Sequence, residues 1–116
     1  MVCDPIDKTI NYIEFAVSDI QRSKDFYGTV FGWTFTDYGS TYCEFNDGHM
    51  KGGFVVAPSK PGGPLIVLYG KKLELLINLI QASGGEITKN IFEFPGGKRF
   101  EFKDPDGYEL AVWSEV

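Results

Sequence analysis

Apolar and polar residues change their spacing along the chain in the same order twice. Ile13, Phe15 and Val17 alternate with Tyr12, Glu14 and Ala16. That period of two predicts a strand over Thr9–Val17 with one apolar face. Ser18-Asp19-Ile20-Gln21 follows with the Ser-x-x-Gln form of a capping box. Ile20, Ser23, Phe26, Tyr27, Val30 and Phe31 then recur at helical spacing, and Gly32 is the residue type that closes a helix. Further on, Pro64–Tyr69 reads as a strand, Leu73, Leu76, Ile77 and Ile80 form a second helical stripe, and Gly84-Gly85 ends it.

A second similarity lies downstream of each helix. Tyr42-Cys43-Glu44-Phe45-Asn46-Asp47-Gly48 matches Arg99-Phe100-Glu101-Phe102-Lys103-Asp104, which runs on into Pro105-Asp106-Gly107. Both have the form x-(apolar)-Glu-Phe-x-Asp and both reach an Asp-Gly turn, a strong hairpin signal between alternating segments. A further strand follows each turn, Gly53–Ala57 and Tyr108–Trp113. The chain therefore reads as β-α-β-β-β twice, an α+β fold of two tandem βαβββ modules over about 9–57 and 64–115. Residues 58–63, Pro-Ser-Lys-Pro-Gly-Gly, have a linker's composition. Each half is too short to bury both faces of its sheet easily, so two modules, from one chain or from two, are expected to pack together in a single domain spanning 1–116.

Length and composition agree with one globular domain: 116 residues, of which 43% are hydrophobic and 23% charged. No apolar run approaches the roughly 20 residues of a membrane helix. The start, Met1 to Lys8, lacks the basic and then apolar regions of a secretory signal, so a cytoplasmic location is expected. The net charge of −5 argues against nucleic acid and anionic membranes as partners, both of which need basic surface. The basic pairs Lys71-Lys72 and Lys98-Arg99 are short enough to be solvated patches. Cys3 and Cys43 read as free thiols, Cys3 in a loose end and Cys43 on the apolar face of a strand beside Phe45.

The segment from Ile13 to Trp33, with Val17-Ser18-Asp19-Ile20, Ser23, Phe26-Tyr27 and Phe31-Gly32-Trp33, resembles the opening of a vicinal-oxygen-chelate domain. Phe102-Lys103-Asp104-Pro105-Asp106-Gly107-Tyr108-Glu109-Leu110 resembles the terminal signature of the same superfamily, which includes glyoxalases, bleomycin-resistance proteins and extradiol dioxygenases. The resemblance covers nearly the whole chain. It implies two βαβββ modules with curved sheets, helices on the outer faces and a site on the concave faces. It also implies a homodimer, since small members often dimerise.

Strand alternation sorts the side chains between those faces. Ile13, Phe15 and Val17 belong to the core, leaving Ile10, Tyr12, Glu14 and Ala16 for the cleft. Cys43, Phe45, Phe100, Phe102, Leu110 and Val112 are core residues by the same rule. Tyr42, Glu44 and Asn46, Arg99, Glu101 and Lys103, and Glu109, Ala111 and Trp113 then face the cleft. The candidate ligand-binding set is Tyr12, Glu14, Tyr42, Glu44, Arg99, Glu101 and Trp113. Carboxylates on a partly enclosed face need partners, and Arg99 is available to Glu14, Glu44 or Glu101.

The resemblance also implies a divalent metal held by four His/Glu ligands, from the first and last strands of each module. Carried over, those positions fall on Tyr12, near Leu65, on Ala111 and within Gly52–Phe54. Leu, Ala, Gly and Phe have no donor atom, and a lone phenol is a poor substitute for imidazole or carboxylate. The single histidine, His49, sits beside the Asp47-Gly48 turn. Glu14 and Glu101 are oxygen donors suited at most to weak Mg²⁺ or Ca²⁺. No metal and no other cofactor is therefore expected.

Three functions compete at this point. The first is binding of a small planar or cationic organic molecule without a transition metal, as in the antibiotic-sequestering members. The second is metal-independent or weakly metal-dependent lyase or isomerase chemistry, with Glu14 or Glu101 as general base and Arg99 stabilising an enolate. The third is a non-catalytic regulatory or structural subunit whose cleft is filled by its own side chains.

Overall fold

A computed structural model describes residues 5–115. The first and last strands of each module pair in parallel, which requires the chain between them to cross over. The chain divides into two compact units, Met1–Lys60 and Pro61–Val116. The first unit contains β1 (Tyr12–Val17), α1 (Ile20–Phe31), β2 (Thr34–Asp37), β3 (Tyr42–Asn46) and β4 (Lys51–Val56). The second contains β5 (Ile66–Tyr69), α2 (Leu73–Ala82), β6 (Glu86–Phe94), β7 (Gly97–Lys103) and β8 (Glu109–Ser114). Each is a βαβββ module, with sheet orders β1-β4-β3-β2 and β5-β8-β7-β6. The repeat read from the sequence is thus an architectural repeat. Cys3 lies outside the described residues.

In the first unit, the alternation on β1 does what its period demands. Phe15 and Val17 are buried while Tyr12 and Glu14 are exposed. The strand begins at Tyr12 rather than Thr9, and Ile10 stands before it, 82% exposed, instead of taking a place on the open face. Helix α1 is capped one residue later than the Ser-x-x-Gln pattern predicts. Asp19 is the N-cap, its carboxylate accepting from the Arg22 backbone N–H at 3.1 Å. The Ser18 hydroxyl instead accepts from the Arg22 guanidinium at 2.9 Å. A carboxylate is at least as good a cap as a hydroxyl, and it leaves the serine to a side chain. Gly32 closes the helix in the left-handed region, φ 73°.

The first core is aromatic. Tyr27 of α1 stacks on Trp33 with centroids 4.5 Å apart, Trp33 stacks on Phe45 at 4.5 Å, and Phe45 lies 5.0 Å from Phe54. Cys43 is fully buried in the same layer. Burial, reinforced by a hydrogen bond with Asp37, pushes its thiol up to about 11. That keeps it protonated at neutral pH, the opposite of what a nucleophile needs.

The second core is mostly aliphatic at its centre. Phe100 and Phe102 of β7 are fully buried, with Leu110 and Val112 of β8 and Ile80 of α2. The α2 helix lies close to the sheet: a Cβ at Gly70 would crowd the Leu76 and Val112 side chains. Gly84, φ 99°, ends the helix as the glycine pair predicts, and the Gly85 N–H donates to the Ile80 carbonyl at 2.9 Å. Among the described residues, no helix is long and apolar enough to cross a membrane.

Candidate functional site

The cross-strand pairing shows that the two modules repeat residue by residue. In the first sheet Glu44 pairs with Gly53 and Tyr42 with Val55. In the second, Glu101 pairs with Ala111 and Arg99 with Trp113. The parallel pairs extend this, with Glu14 beside Gly53 and Val67 beside Ala111. The open face of each sheet therefore carries one version of the same grid. Tyr12, Glu14, Tyr42 and Glu44 belong to the first and Arg99, Glu101 and Trp113 to the second, all on the faces that alternation assigns them.

On the first sheet the four residues form hydrogen-bonded chains. The Tyr12 and Tyr42 hydroxyls are 2.6 Å apart, and the Tyr42 hydroxyl donates to the Glu14 carboxylate at 2.9 Å. Desolvation, then the hydrogen bonds with Tyr12 and Glu14, raise the Tyr42 phenol well above the ordinary tyrosine range. A Cβ on Gly53 would run into both hydroxyls, so glycine there is what lets the tyrosines meet. Glu44 accepts from the Tyr38 hydroxyl at 3.3 Å and lies 3.7 Å from the Lys51 ammonium. Lys51 and Tyr38 were not among the expected site residues. His49 is exposed in the β3–β4 turn, where its backbone N–H donates to Asp47 at 2.8 Å.

On the second sheet Arg99 pairs with Glu101, its Nη2 donating to the carboxylate at 3.0 Å. Its guanidinium lies 5.4 Å from the centroid of the Phe92 ring, over which the Lys89 ammonium also sits at 4.2 Å. The Nε atom of Arg99 is buried and has no hydrogen-bond partner. A pocket of about 400 Å³ opens beside it, lined by Val67, Phe94, Pro95, Gly96, Arg99 and Trp113. Trp113 is braced edge-on by Tyr69, centroids 5.2 Å apart, with Phe94 at 6.4 Å. Trp113 thus stands with Arg99 and Phe94.

Phe94, Pro95 and Gly96 come from the β6–β7 hairpin, which alternation alone does not single out. A signal for them does exist. Pro95-Gly96, with Gly96 at φ 112°, supplies the residue types of a tight turn, and such a turn carries Phe94 to the end of the Arg99–Trp113 row.

The register narrows the window Gly52–Phe54 to Gly53, the residue that pairs with Glu44 as Ala111 pairs with Glu101. The positions that the resemblance implies for a metal are then Tyr12 and Gly53 in the first module, Leu65 and Ala111 in the second. Three of these have no donor atom, and the phenol of Tyr12 is engaged by Tyr42. This donor set does not fit a four-ligand divalent centre of imidazoles and carboxylates. Among the described residues no group of three or more His, Cys, Asp or Glu side chains stands close enough to hold a metal ion.

Comparison with known proteins agrees with this architecture. The chain is similar in structure to a glyoxalase-related enzyme from Fulvimarina pelagi, with 20% identity, TM-score 0.80, and 92% of this chain and 88% of that one covered. It is similar to a glyoxalase/bleomycin resistance protein/dioxygenase family enzyme from Burkholderia phytofirmans PsJN at 15% identity and TM-score 0.82, covering 91% and 98% of the two chains. A variant of the fosfomycin resistance protein FosX from Listeria monocytogenes, complexed with Mn(II) and 1S,2S-dihydroxypropylphosphonic acid, matches at 17% identity and TM-score 0.80, covering 93% and 90%. At these identities the likeness is one of fold. No curated protein sequence matches the chain. The family model of the Glyoxalase/Bleomycin resistance protein/Dioxygenase superfamily matches residues 9–112, and the chain belongs to that superfamily.

Proposed function

We propose that the protein binds a small planar organic molecule on the open face of its second module, without a transition metal. One observation carries the reading: the pocket of about 400 Å³ whose walls are Trp113 and Phe94 and whose polar group is Arg99. Its size falls toward the lower end of the roughly 300–1,000 Å³ typical of small-molecule sites, and its balance of aromatic wall to polar group is theirs. The donor-poor residues at the family's metal positions support the absence of a metal. Native mass spectrometry with elemental analysis of protein purified without added metal tests both parts. The expected result is an organic adduct, or one that added small aromatics restore, and no stoichiometric Zn, Ni, Fe or Mn. Near one metal per chain, lost on changing Tyr12 or Glu14, overturns the metal-free reading.

The Arg99–Glu101 contact favours a second reading, catalysis with Glu101 as general base beside a guanidinium that stabilises an enolate. Exchange of substrate α-protons in D₂O, abolished in Glu101→Gln, is the expected sign of it. A regulatory subunit with a filled cleft is the least favoured reading, because open volume lies against Trp113.

A further inference from the structure

The charged groups facing the second-module pocket are not those of the molecule as a whole. The chain carries −5, yet among the described residues the only charged side chain lining the pocket is a guanidinium. Glu101, its partner, is the nearest carboxylate by hydrogen bonding, and its cross-strand neighbour on β6 is Lys89. Arg99 and Lys89 thus flank Glu101, while a second carboxylate, Glu115, lies beyond Trp113 and is held by the Tyr69 hydroxyl. The Arg99 fork is used on one side only: Nη2 is held by Glu101, while Nε is buried without a partner. A buried donor left unsatisfied costs about 1–3 kcal/mol, so an acceptor arriving at that edge gains more than it would from a solvated arginine. An anionic oxygen gains most, since hydrogen bonds to an ionised acceptor are roughly twice as strong as neutral ones. Next to that donor stand the Trp113 indole and the Phe94 ring, with Val67 and Pro95 completing an apolar wall.

We propose that this pocket takes a planar aromatic carboxylate, its ring system against Trp113 and Phe94 and its carboxylate accepting from the Arg99 guanidinium. Glu101 acts as the positioning residue that holds the guanidinium through its Nη2. The expectation of a cationic ligand is replaced at this site, because a cation would meet Arg99. This inference rests on the binding reading above and names the ligand class for the same pocket.

The test uses three probes of one shape: 1-naphthoate, its neutral amide 1-naphthamide, and 1-naphthylmethylammonium. Each is titrated into the ¹⁵N-labelled full chain, following the Arg99 Nε–Hε and Trp113 indole cross-peaks, identified with Arg99→Lys and Trp113→Phe. The expected result is saturable binding of naphthoate with a downfield shift of the Arg99 Nε–H. The amide should bind at least ten-fold more weakly and the ammonium not measurably. Arg99→Lys keeps the charge and can keep the contact to Glu101, but removes the planar guanidinium fork. It should lose at least ten-fold for naphthoate while leaving amide binding unchanged, with its thermal midpoint confirming that it is folded. Equal binding of naphthoate and amide, or of naphthoate to wild type and Arg99→Lys, overturns the carboxylate assignment and leaves the binding site standing. No shift at Trp113 with any of the three overturns both.

Discussion

The phenol oxygens of Tyr12 and Tyr42 lie 2.6 Å apart, in the space that a side chain at Gly53 would enter. Contact between two strands is therefore made possible by a residue on a third. The relationship reads in both directions: the tyrosines need the glycine, and the glycine is fixed by the tyrosines.

Gly53→Ala is expected to destabilise the protein by about 1–2 kcal/mol, the ordinary cost of overpacking. The atoms the new methyl meets are the ends of the two phenols, which can move aside on an open face. In a Tyr42→Ala background most of that cost should vanish, a coupling that urea titration of the four-member cycle measures directly. Gly52→Ala should cost more, above about 3 kcal/mol, since its methyl meets the Ile13 backbone carbonyl and the Phe45 ring. Equal costs at the two glycines would falsify this assignment of the contacts.

Tyr42 also makes stability depend on pH. Its phenol is raised in the folded chain, by desolvation first and then by Tyr12 and Glu14, whereas an unfolded tyrosine titrates near 10. A raised acid favours the folded state while protonated. The contribution is complete below about pH 10 and is lost as pH rises from there toward the folded value. Tyr42→Phe should be less stable at pH 7 and should lose less between about pH 9.5 and 11. Urea midpoints across that range check it, and parallel curves for the two proteins would remove Tyr42 as the cause.

Asp104 anchors the last hairpin. One carboxylate oxygen accepts from the Asp106 and Tyr108 backbone N–H groups at 2.9 and 3.0 Å, and the residue is buried. Asp47 holds the corresponding turn of the first module through the His49 and Met50 N–H groups at 2.8 and 2.6 Å, but it is exposed. Asp104→Ala should cost about 1.5–3 kcal/mol, since it leaves two backbone N–H groups of a buried turn without their acceptor. Asp104→Asn, which keeps an acceptor oxygen, should cost less. Asp47→Ala should fall below both. Denaturant midpoints of the three variants establish the order.

A homodimer is the expected assembly. Leu65, just before β5, and Val67 and Tyr69 within it are 39–46% exposed, and among the described residues β5 is an edge strand of its sheet. An exposed apolar edge is what proteins ordinarily cover. Light scattering should give twice the 13.0 kDa chain mass at micromolar concentration. A monomer mass would count against it.

The elements that the sequence revealed were those whose faces differ. Phe15 and Val17 against Tyr12 and Glu14, or Phe100 and Phe102 against Arg99 and Glu101, write the period of two directly into the chain. Strand β2 shows no such contrast, with only Phe35 among its four residues withdrawn from solvent. Strand β6 hides its alternation by a different route. Its nine residues pair with the seven of β7 through register shifts between Ile87 and Lys89 and between Lys89 and Phe92. Each bulge inverts the sense of the pattern. The candidate site divides in the same way. Alternation predicts which face Tyr42, Glu44, Arg99 and Trp113 occupy. Which charged group pairs with which depends on side-chain reach across strands, and so Lys51 with Glu44 and the unpartnered edge of Arg99 needed coordinates.

The parallel pairing of β1 with β4, and of β5 with β8, sets the order in which each module can form. The strand made first waits for the strand made last: Tyr12 pairs with Lys51, and Ile66 with Leu110. The hairpins between them can close early, but their sheet lacks its outer strand until the crossover is complete. Long-range closure of this kind slows folding relative to helical domains of the same size. During synthesis the apolar side of β1 has no sheet to join until β4 leaves the ribosome. The first module can then complete its sheet before β8 has been made.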